Sequence, residues 1–235
     1  MTAQQRLRGD VAVLVPAAGL GVRLGAGVPK ALHTLRDEPL LVHAVRRMAA
    51  AASVAHVVIA APEDAVEAVR DLLAERALFA GRVTVVAGGK TRQRSVRAAL
   101  DAAPPELDIV LVHDAARALA PARLVERVAA AVRSGHDAVI PVLSVVDTIK
   151  QVDGDGIVLG TVDRSDLRSV QTPQGFRRQV LLAAHAAAVD EHTDDAGLAE
   201  KLGIAVYTVP GEEIALKITR PLDLRIAELL LADDD

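Results

Sequence analysis

The chain has 235 residues, 51% of them hydrophobic but only 1% aromatic, with a formal net charge of −4 and no cysteine. This composition supplies an Ala, Val and Leu core for one large α/β domain or two small ones. It leaves no aromatic platform for single-stranded nucleic acid and no basic excess to draw nucleic acid or an acidic membrane surface. It also rules out disulfides, thiolate chemistry and cysteine-based zinc sites.

The first ten residues, MTAQQRLRGD, lack the apolar core of a signal peptide. No apolar run reaches the ~20 residues of a membrane span, so a cytoplasmic protein with no membrane partner is expected. From Val11 the chain alternates strand and helix. VAVLVP (Val11–Pro16) is a short continuous apolar run, suited to a parallel strand buried on both faces. VAHVVIAAP (Val54–Pro62), RVTVVAGG (Arg82–Gly89), DIVLVHDAA (Asp108–Ala116) and DAVIPV (Asp137–Val142) repeat the signal, separated by helix-length segments. Pro62-Glu63-Asp64 puts a proline and two acids in a first helical turn. Pro121 opens a helix whose Leu124, Val125, Val128 and Val132 share one face. The rhythm predicts a doubly wound, mostly parallel sheet.

After Pro141 the pattern changes. Residues 144–167 read as two extended pieces joined by Asp153-Gly154-Asp155-Gly156, a strong hairpin signal. An isolated hairpin is marginal in water, so this protruding arm is expected to pack on another subunit. Helices are predicted at about Phe176–Val189 and Asp194–Leu202, a strand at Ile204–Pro210 and a last helix opening at Pro221. No linker, repeat or low-complexity segment divides the chain. The expected organisation is a single domain over 1–235 with a dimerisation arm at about 144–167.

PAAGLGVRLGAGVPK (16–30) follows the first strand. A dinucleotide fingerprint needs G-x-G-x-x-G entering a helix. Here the third glycine comes one position late, and Ala26-Gly27-Val28-Pro29 cannot continue a regular helix. The Walker spacing is absent as well. What remains is an irregular loop at the carboxyl end of a strand, where open α/β sheets bind ligands. Gly19 and Gly21 let the backbone N–H groups approach an anion, and Arg23 and Lys30 add two cations, a combination suited to polyphosphate. The alternative is a surface loop with incidental charge.

Three further clusters bear on the choice. GGKTRQRSVRAAL (88–100) ends a strand in Gly88-Gly89, which allow close backbone approach, and starts a helix near Ser95, which supplies a hydroxyl. VLVHDAAR (110–117) carries Asp114 and Arg117 out of a strand end, where the acid would suit the Mg²⁺ side of a phosphate site. EIALKITRPLDL (213–224) holds Lys217 in a short extended run. There is no G-x-S-x-G, no H-E-x-x-H, and the seven histidines are scattered without metal-ligand spacing.

PAAGLGVRL…PK, GG-x-x-R-x-x-S, HDAAR, DT-x-K, TVDR, TPQ, TDDA and LKITRPLDL occur in the order found in 2-C-methyl-D-erythritol 4-phosphate cytidylyltransferases of the non-mevalonate isoprenoid pathway. The chain resembles that family from about Val11 to Leu230. The glycine loop is shared by many nucleotidyltransferases, whereas HDAAR followed by TVDR, TPQ and LKITRP is far more specific. The resemblance implies a Rossmann-like α/β fold of the nucleotide-diphospho-sugar transferase type. It implies the reaction of CTP with methylerythritol 4-phosphate, a polyol phosphate, giving the CDP-linked alcohol and pyrophosphate, with Mg²⁺ and a homodimer.

The resemblance also implies residue roles. Arg23 and Lys30 hold the triphosphate and stabilise the transition state, and Lys217 contacts phosphate near the reacting centre. Backbone at Ala17, Ala18 and Gly89, with the Ser95 side chain, reads cytosine and its surroundings. Asp114 and Arg117 face the nucleotide and the sugar phosphate, with the metal held mainly through the CTP phosphates and secondarily by Asp114. Thr148 and Arg164 on the arm bind methylerythritol phosphate across a dimer interface, and Thr172 and Thr193 line the alcohol. The chain departs from the family pattern at Ala31, where glutamine is frequent, at Ala118, where proline is usual, and at Ile214 and Ala215. The competing readings are a ribitol 5-phosphate cytidylyltransferase, another small-molecule nucleotidyltransferase of this fold, and a non-catalytic nucleotide-binding module.

Overall fold

The computed structural model describes residues 9–19, 29–76, 78, 82–190 and 192–232. The strands are β1 (Val11–Pro16), β2 (Thr34–Leu35), β3 (Glu38–Pro39), β4 (Val54–Ala61), β5 (Val83–Ala87), β6 (Ile109–Val112), β7 (Ala138–Ser144), β8 (Ile149–Val152), β9 (Val158–Val162), β10 (Arg168–Val170), β11 (Gln174–Arg177) and β12 (Val206–Pro210). The α-helices are α1 (Leu40–Ala49), α2 (Val66–Glu75), α3 (Arg92–Ala102), α4 (Ala122–Arg133), α5 (Arg178–Ala187), α6 (Asp195–Lys201) and α7 (Pro221–Ala232).

The predicted apolar runs are the spine of the main sheet. β5, β4, β1 and β6 lie side by side and parallel. β11 inserts antiparallel between β6 and β7, and β12 lies parallel to β7. The sheet is therefore mixed but mostly parallel, as the alternation predicts. One expectation is corrected here: the segment from Phe176 is not the start of a helix. Gln174–Arg177 is a strand, Phe176 is fully buried within it, and the helix begins at Arg178. Short polar flanks hide this strand from a periodicity reading. At Gly175 an added Cβ would lie 2.6 Å from Val128 Cγ1 and 2.9 Å from Leu111 Cδ2, so helix α4 can seat on the sheet only over a bare backbone.

Because side chains alternate across a strand, β1 feeds two cores. Val11, Val13 and Val15 join Leu41, Val45, Met48, Leu124, Val125 and Val128 on the α1/α4 face. Ala12 and Leu14 join Val96, Ala99, Leu100 and Leu181 on the α3/α5 face. All of these side chains are buried, each large one contributing about 1.5–3 kcal/mol. The apolar face predicted after Pro121 is the buried face of α4. A third cluster, Leu35, Leu40, Ala118, Leu119, Ile218 and Ala227, seats α7. Ala118 lies wholly inside it, so the residue in the usual proline position packs tightly.

The predicted hairpin is present. β8 pairs antiparallel with β9, and the turn closes through Asp153 N–H to the Ile157 carbonyl at 3.0 Å, with Gly156 at φ +84°. Val152, Ile157, Val158 and Leu159 on it are all more than half exposed. No helix among the described residues is long and apolar enough to cross a membrane.

Candidate active site

Strand β1 is flanked by β4 on one side and β6 on the other, so the chain order reverses at its carboxyl end. A crevice opens there, as open α/β sheets allow. It has a volume of about 240 Å³ and is lined by the end of β1 (Pro16 to Gly19), by Lys30 and Ala31, by Gly89 to Arg92 with Ser95, by Asp114 to Ala116, and by Lys217. The lining carries four cations, Lys30, Lys90, Arg92 and Lys217, against one carboxylate, Asp114, so the described wall is electropositive.

Each wall is fixed locally. Ala17 N–H donates to the Ala60 carbonyl (2.8 Å), and Lys30 N–H donates to the Gly19 carbonyl (3.1 Å), closing the base of the glycine loop. Gly21 and Arg23, predicted to hold the triphosphate, lie outside the described residues. On the facing wall Gly88 N–H donates to the Ala61 carbonyl at 2.7 Å. A Cβ at Gly88 would meet Ala18 Cβ at 2.7 Å and Ser95 Oγ at 2.9 Å, so these two ligand-facing turns are in contact. Helix α3 starts at Arg92, capped by the Thr91 hydroxyl, which accepts from Arg94 N–H. Ser95 therefore lies inside the first turns of the helix. It is buried, and its hydroxyl accepts from Gly89 N–H (3.1 Å) and lies 3.0 Å from the Thr91 carbonyl. It shapes the turn that lines the crevice.

Asp114 emerges from the end of β6 with both oxygens engaged. Oδ1 accepts from Arg92 Nε at 3.1 Å, and Oδ2 lies 2.7 Å from Lys217 Nζ. Burial alone would raise its carboxyl, but the Arg92 and Lys217 charges outweigh burial and hold it well below the usual carboxylate range. His113, just before it, is fully buried, and burial pushes its imidazole down to about 4. It is neutral at pH 7 and shielded from the crevice.

Two of the predicted substrate-binding residues are buried and hydrogen-bonded within the chain. Arg117 is buried beneath the crevice, its Nη1 donating to the Ala215 carbonyl (2.7 Å) and its Nη2 to the Val170 carbonyl (3.0 Å). It braces the loop that carries Lys217. Thr172 is also buried. Its Oγ1 accepts from Asp114 N–H (3.0 Å) and pairs with His113 Nδ1 (3.1 Å), so it holds the Asp114 backbone. Thr193 is exposed in the loop before α6. Thr148 and Arg164 sit on the arm, exposed and outside the crevice, with the Arg164 guanidinium donating to the Val146 carbonyl.

Lys90 and Arg92 also line the crevice, and neither has a role assigned from the sequence, although Arg92 is the arginine of GG-x-x-R-x-x-S. Both lie in a stretch with four cations, and only the fold tells which of them face the crevice. Asp195, which accepts from Arg92 Nη1 at 2.7 Å, likewise has no role assigned from the sequence.

The family model for 2-C-methyl-D-erythritol 4-phosphate cytidylyltransferase matches residues 11–233. The chain belongs to that family. Among similar cytidylyltransferases, that of Saccharopolyspora erythraea is 57% identical over 226 residues, covering 95% of this chain and 100% of the relative. That of Streptomyces coelicolor is 52% identical over 228 residues, covering 94% and 84%. The crystal structure of the cytidylyltransferase from Thermus thermophilus superposes with a TM-score of 0.74 at 38% identity over 94% of this chain and 98% of that one. The synthase from Anaerococcus prevotii gives 0.80 at 26% identity over 96% and 99%.

Proposed function

We propose that the chain transfers the cytidylyl group of CTP to 2-C-methyl-D-erythritol 4-phosphate, giving 4-diphosphocytidyl-2-C-methyl-D-erythritol and pyrophosphate. The observation that carries the reading is the cation-lined crevice at the end of β1, in a chain matched to the family along nearly its whole length.

The nucleophile is a phosphate oxygen of the acceptor. A phosphate monoester with a second pKa near ~6 is mostly dianionic at pH 7, so it attacks the α-phosphate of CTP without a general base, and pyrophosphate leaves in line. The neutral, buried His113 fits this economy. The barrier is the approach of an anion to a polyanion, so catalysis is positioning and charge neutralisation. Lys30, with Arg23 of the same loop, serves the triphosphate, and Lys217 serves the reacting phosphates. Gly19, Gly21 and the backbone at Ala17, Ala18 and Gly89 contour the nucleotide site, with Ser95 shaping it from behind.

A divalent metal such as Mg²⁺, when bound, would neutralise charge on the CTP phosphates. Asp114 is the carboxylate in the crevice lining, but cations hold both its oxygens, and no group of three His, Asp or Glu among the described residues is placed to hold a metal.

The chain is read as one domain over 1–235 that works as a cytoplasmic homodimer. The arm at 144–167 leaves Ile157, Val158 and Leu159 exposed, forgoing about 1.5–3 kcal/mol for each side chain that a partner would cover. Thr148 and Arg164 then serve the acceptor phosphate bound in the neighbouring protomer, beside Thr193 of that protomer. The test is pyrophosphate release from Mg·CTP with methylerythritol 4-phosphate and, separately, ribitol 5-phosphate. Turnover is expected with the first. Preference for ribitol phosphate would reassign the acceptor, and no release with either would remove the enzymatic reading.

A further inference from the structure

The charged groups behind the crevice converge on Arg92, the first residue of α3. Its Nε donates to Asp114 Oδ1 (3.1 Å) and its Nη1 to Asp195 Oδ2 (2.7 Å). Asp195 lies in the first turn of α6 and is 1% exposed. Its other oxygen accepts from His185 Nε2, in α5, at 3.0 Å. On the crevice side, Asp114 passes the contact on to Lys217 Nζ at 2.7 Å. A continuous line of contacts thus runs from a buried histidine, through two carboxylates and one guanidinium, to the lysine at the reacting centre.

Partly buried ion pairs are weak sources of stability, because desolvation consumes most of their Coulomb gain. This arrangement is better explained by what it locates. Lys217 is a half-exposed ammonium on a flexible four-carbon stem, and fixing such a side chain costs rotamer entropy. A planar guanidinium gripped by two carboxylates has a set direction that a lysine in its place would lack. Arg92 also joins parts of the fold that approach different substrates. Its own helix start lies beside the nucleotide-side turn at Gly89, while Asp195 follows Thr193 on the acceptor side.

We infer that Arg92, anchored by Asp195 and His185, is a positioning residue that sets the Asp114 carboxylate and, through it, the Lys217 ammonium for the transfer step. The inference rests on the cytidylyl-transfer reading. It requires that Arg92 act through Lys217 and not beside it.

The test is a double-mutant cycle on the full-length protein in pyrophosphate release, with kcat normalised to folded protein and thermal midpoints recorded. R92Q is expected to lower kcat about 10–100-fold while the KM for CTP moves less than about threefold. R92K is expected to recover part of that loss. In a K217A background the further loss from R92Q is expected to shrink to about twofold or less. D195N, removing the anchor on the far side, is expected to act in the same direction and to be masked by K217A in the same way. Losses from R92Q and K217A that simply multiply would overturn the inference, as would a drop explained wholly by unfolded protein. If R92Q does not fold, the cycle with R92K and D195N decides by the same criterion. A wild-type protein inactive with CTP and methylerythritol phosphate would instead overturn the functional reading, a result separate from any outcome of the cycle.

Discussion

In the crevice, Asp114 has both oxygens occupied, its backbone N–H is held by Thr172, and the loop bearing Lys217 is braced by Arg117. On the arm, Thr148 and Arg164 are exposed beside the β8/β9 ribbon, whose Val152, Val158 and Leu159 are more than half exposed. The first region is organised by a single chain before any ligand arrives, and the second has polar groups but no surroundings of its own. On the proposed reading, nucleotide recognition is built into the monomer, whereas acceptor recognition awaits a second protomer.

The sharpest way to break the comparison is at the crevice. Lys30→Ala should lower turnover by about 10²–10³ while the thermal midpoint stays within a few degrees. Arg23→Ala is expected to do the same. Near-normal kcat in either purified variant would remove that residue from the machinery. Next is the arm, where Arg164→Ala should lower turnover by on the order of 10² by removing a charge-assisted phosphate contact. Mixing Arg164→Ala chains with Lys30→Ala chains tests where Arg164 acts. A heterodimer then holds one site with Lys30 from one chain and Arg164 from the other, so activity should return. No recovery, with heterodimers demonstrated, would place Arg164 in its own protomer's site.

A smaller effect comes from pH. The imidazole of His113 accepts a proton near pH 6.5 when unfolded but only near 4 when folded, so the unfolded state binds the extra proton between those values. Stability should therefore fall as pH drops from about 6.5 to 4, by on the order of 3 kcal/mol. Asp114, held low by its cationic neighbours, should extend the loss in the same direction below its ordinary 3.8. Denaturant midpoints from neutral pH to below 3.8 check both, and a flat profile between 6.5 and 4 would contradict a neutral buried His113. Thr172→Val strands the Asp114 N–H and should cost about 1–3 kcal/mol in the same assay. Least of all, Val158→Thr on the arm should shift monomer stability by no more than about 0.5 kcal/mol. Sedimentation should nevertheless show weaker self-association.

The same contrast governs what could be read from residues alone. Strands such as VAVLVP declare themselves because burial on both faces demands an unbroken apolar run. QGFR does not, because its strand is short and its neighbours in space are supplied by β6 and β7. Site residues presented by backbone, at Ala17, Gly19 and Gly89, follow from the position of a loop after a strand. Arg92 does not: the GG-x-x-R-x-x-S pattern marks it out from Lys90, Arg94 and Arg97, but its deciding partner, Asp195, lies 103 residues away. Arg117 and Thr172 stand in legible motifs, but whether a motif residue touches the ligand or holds the residue that does is set by depth, which no spacing encodes.

Gly88 carries a consequence for how this crevice can change. With Ala18 Cβ and Ser95 Oγ already within 3 Å of where its own Cβ would stand, any larger residue there must wedge the two turns apart. The spacing of the two turns is thus gauged by a missing atom, and the crevice they border cannot be reshaped by drift at that point.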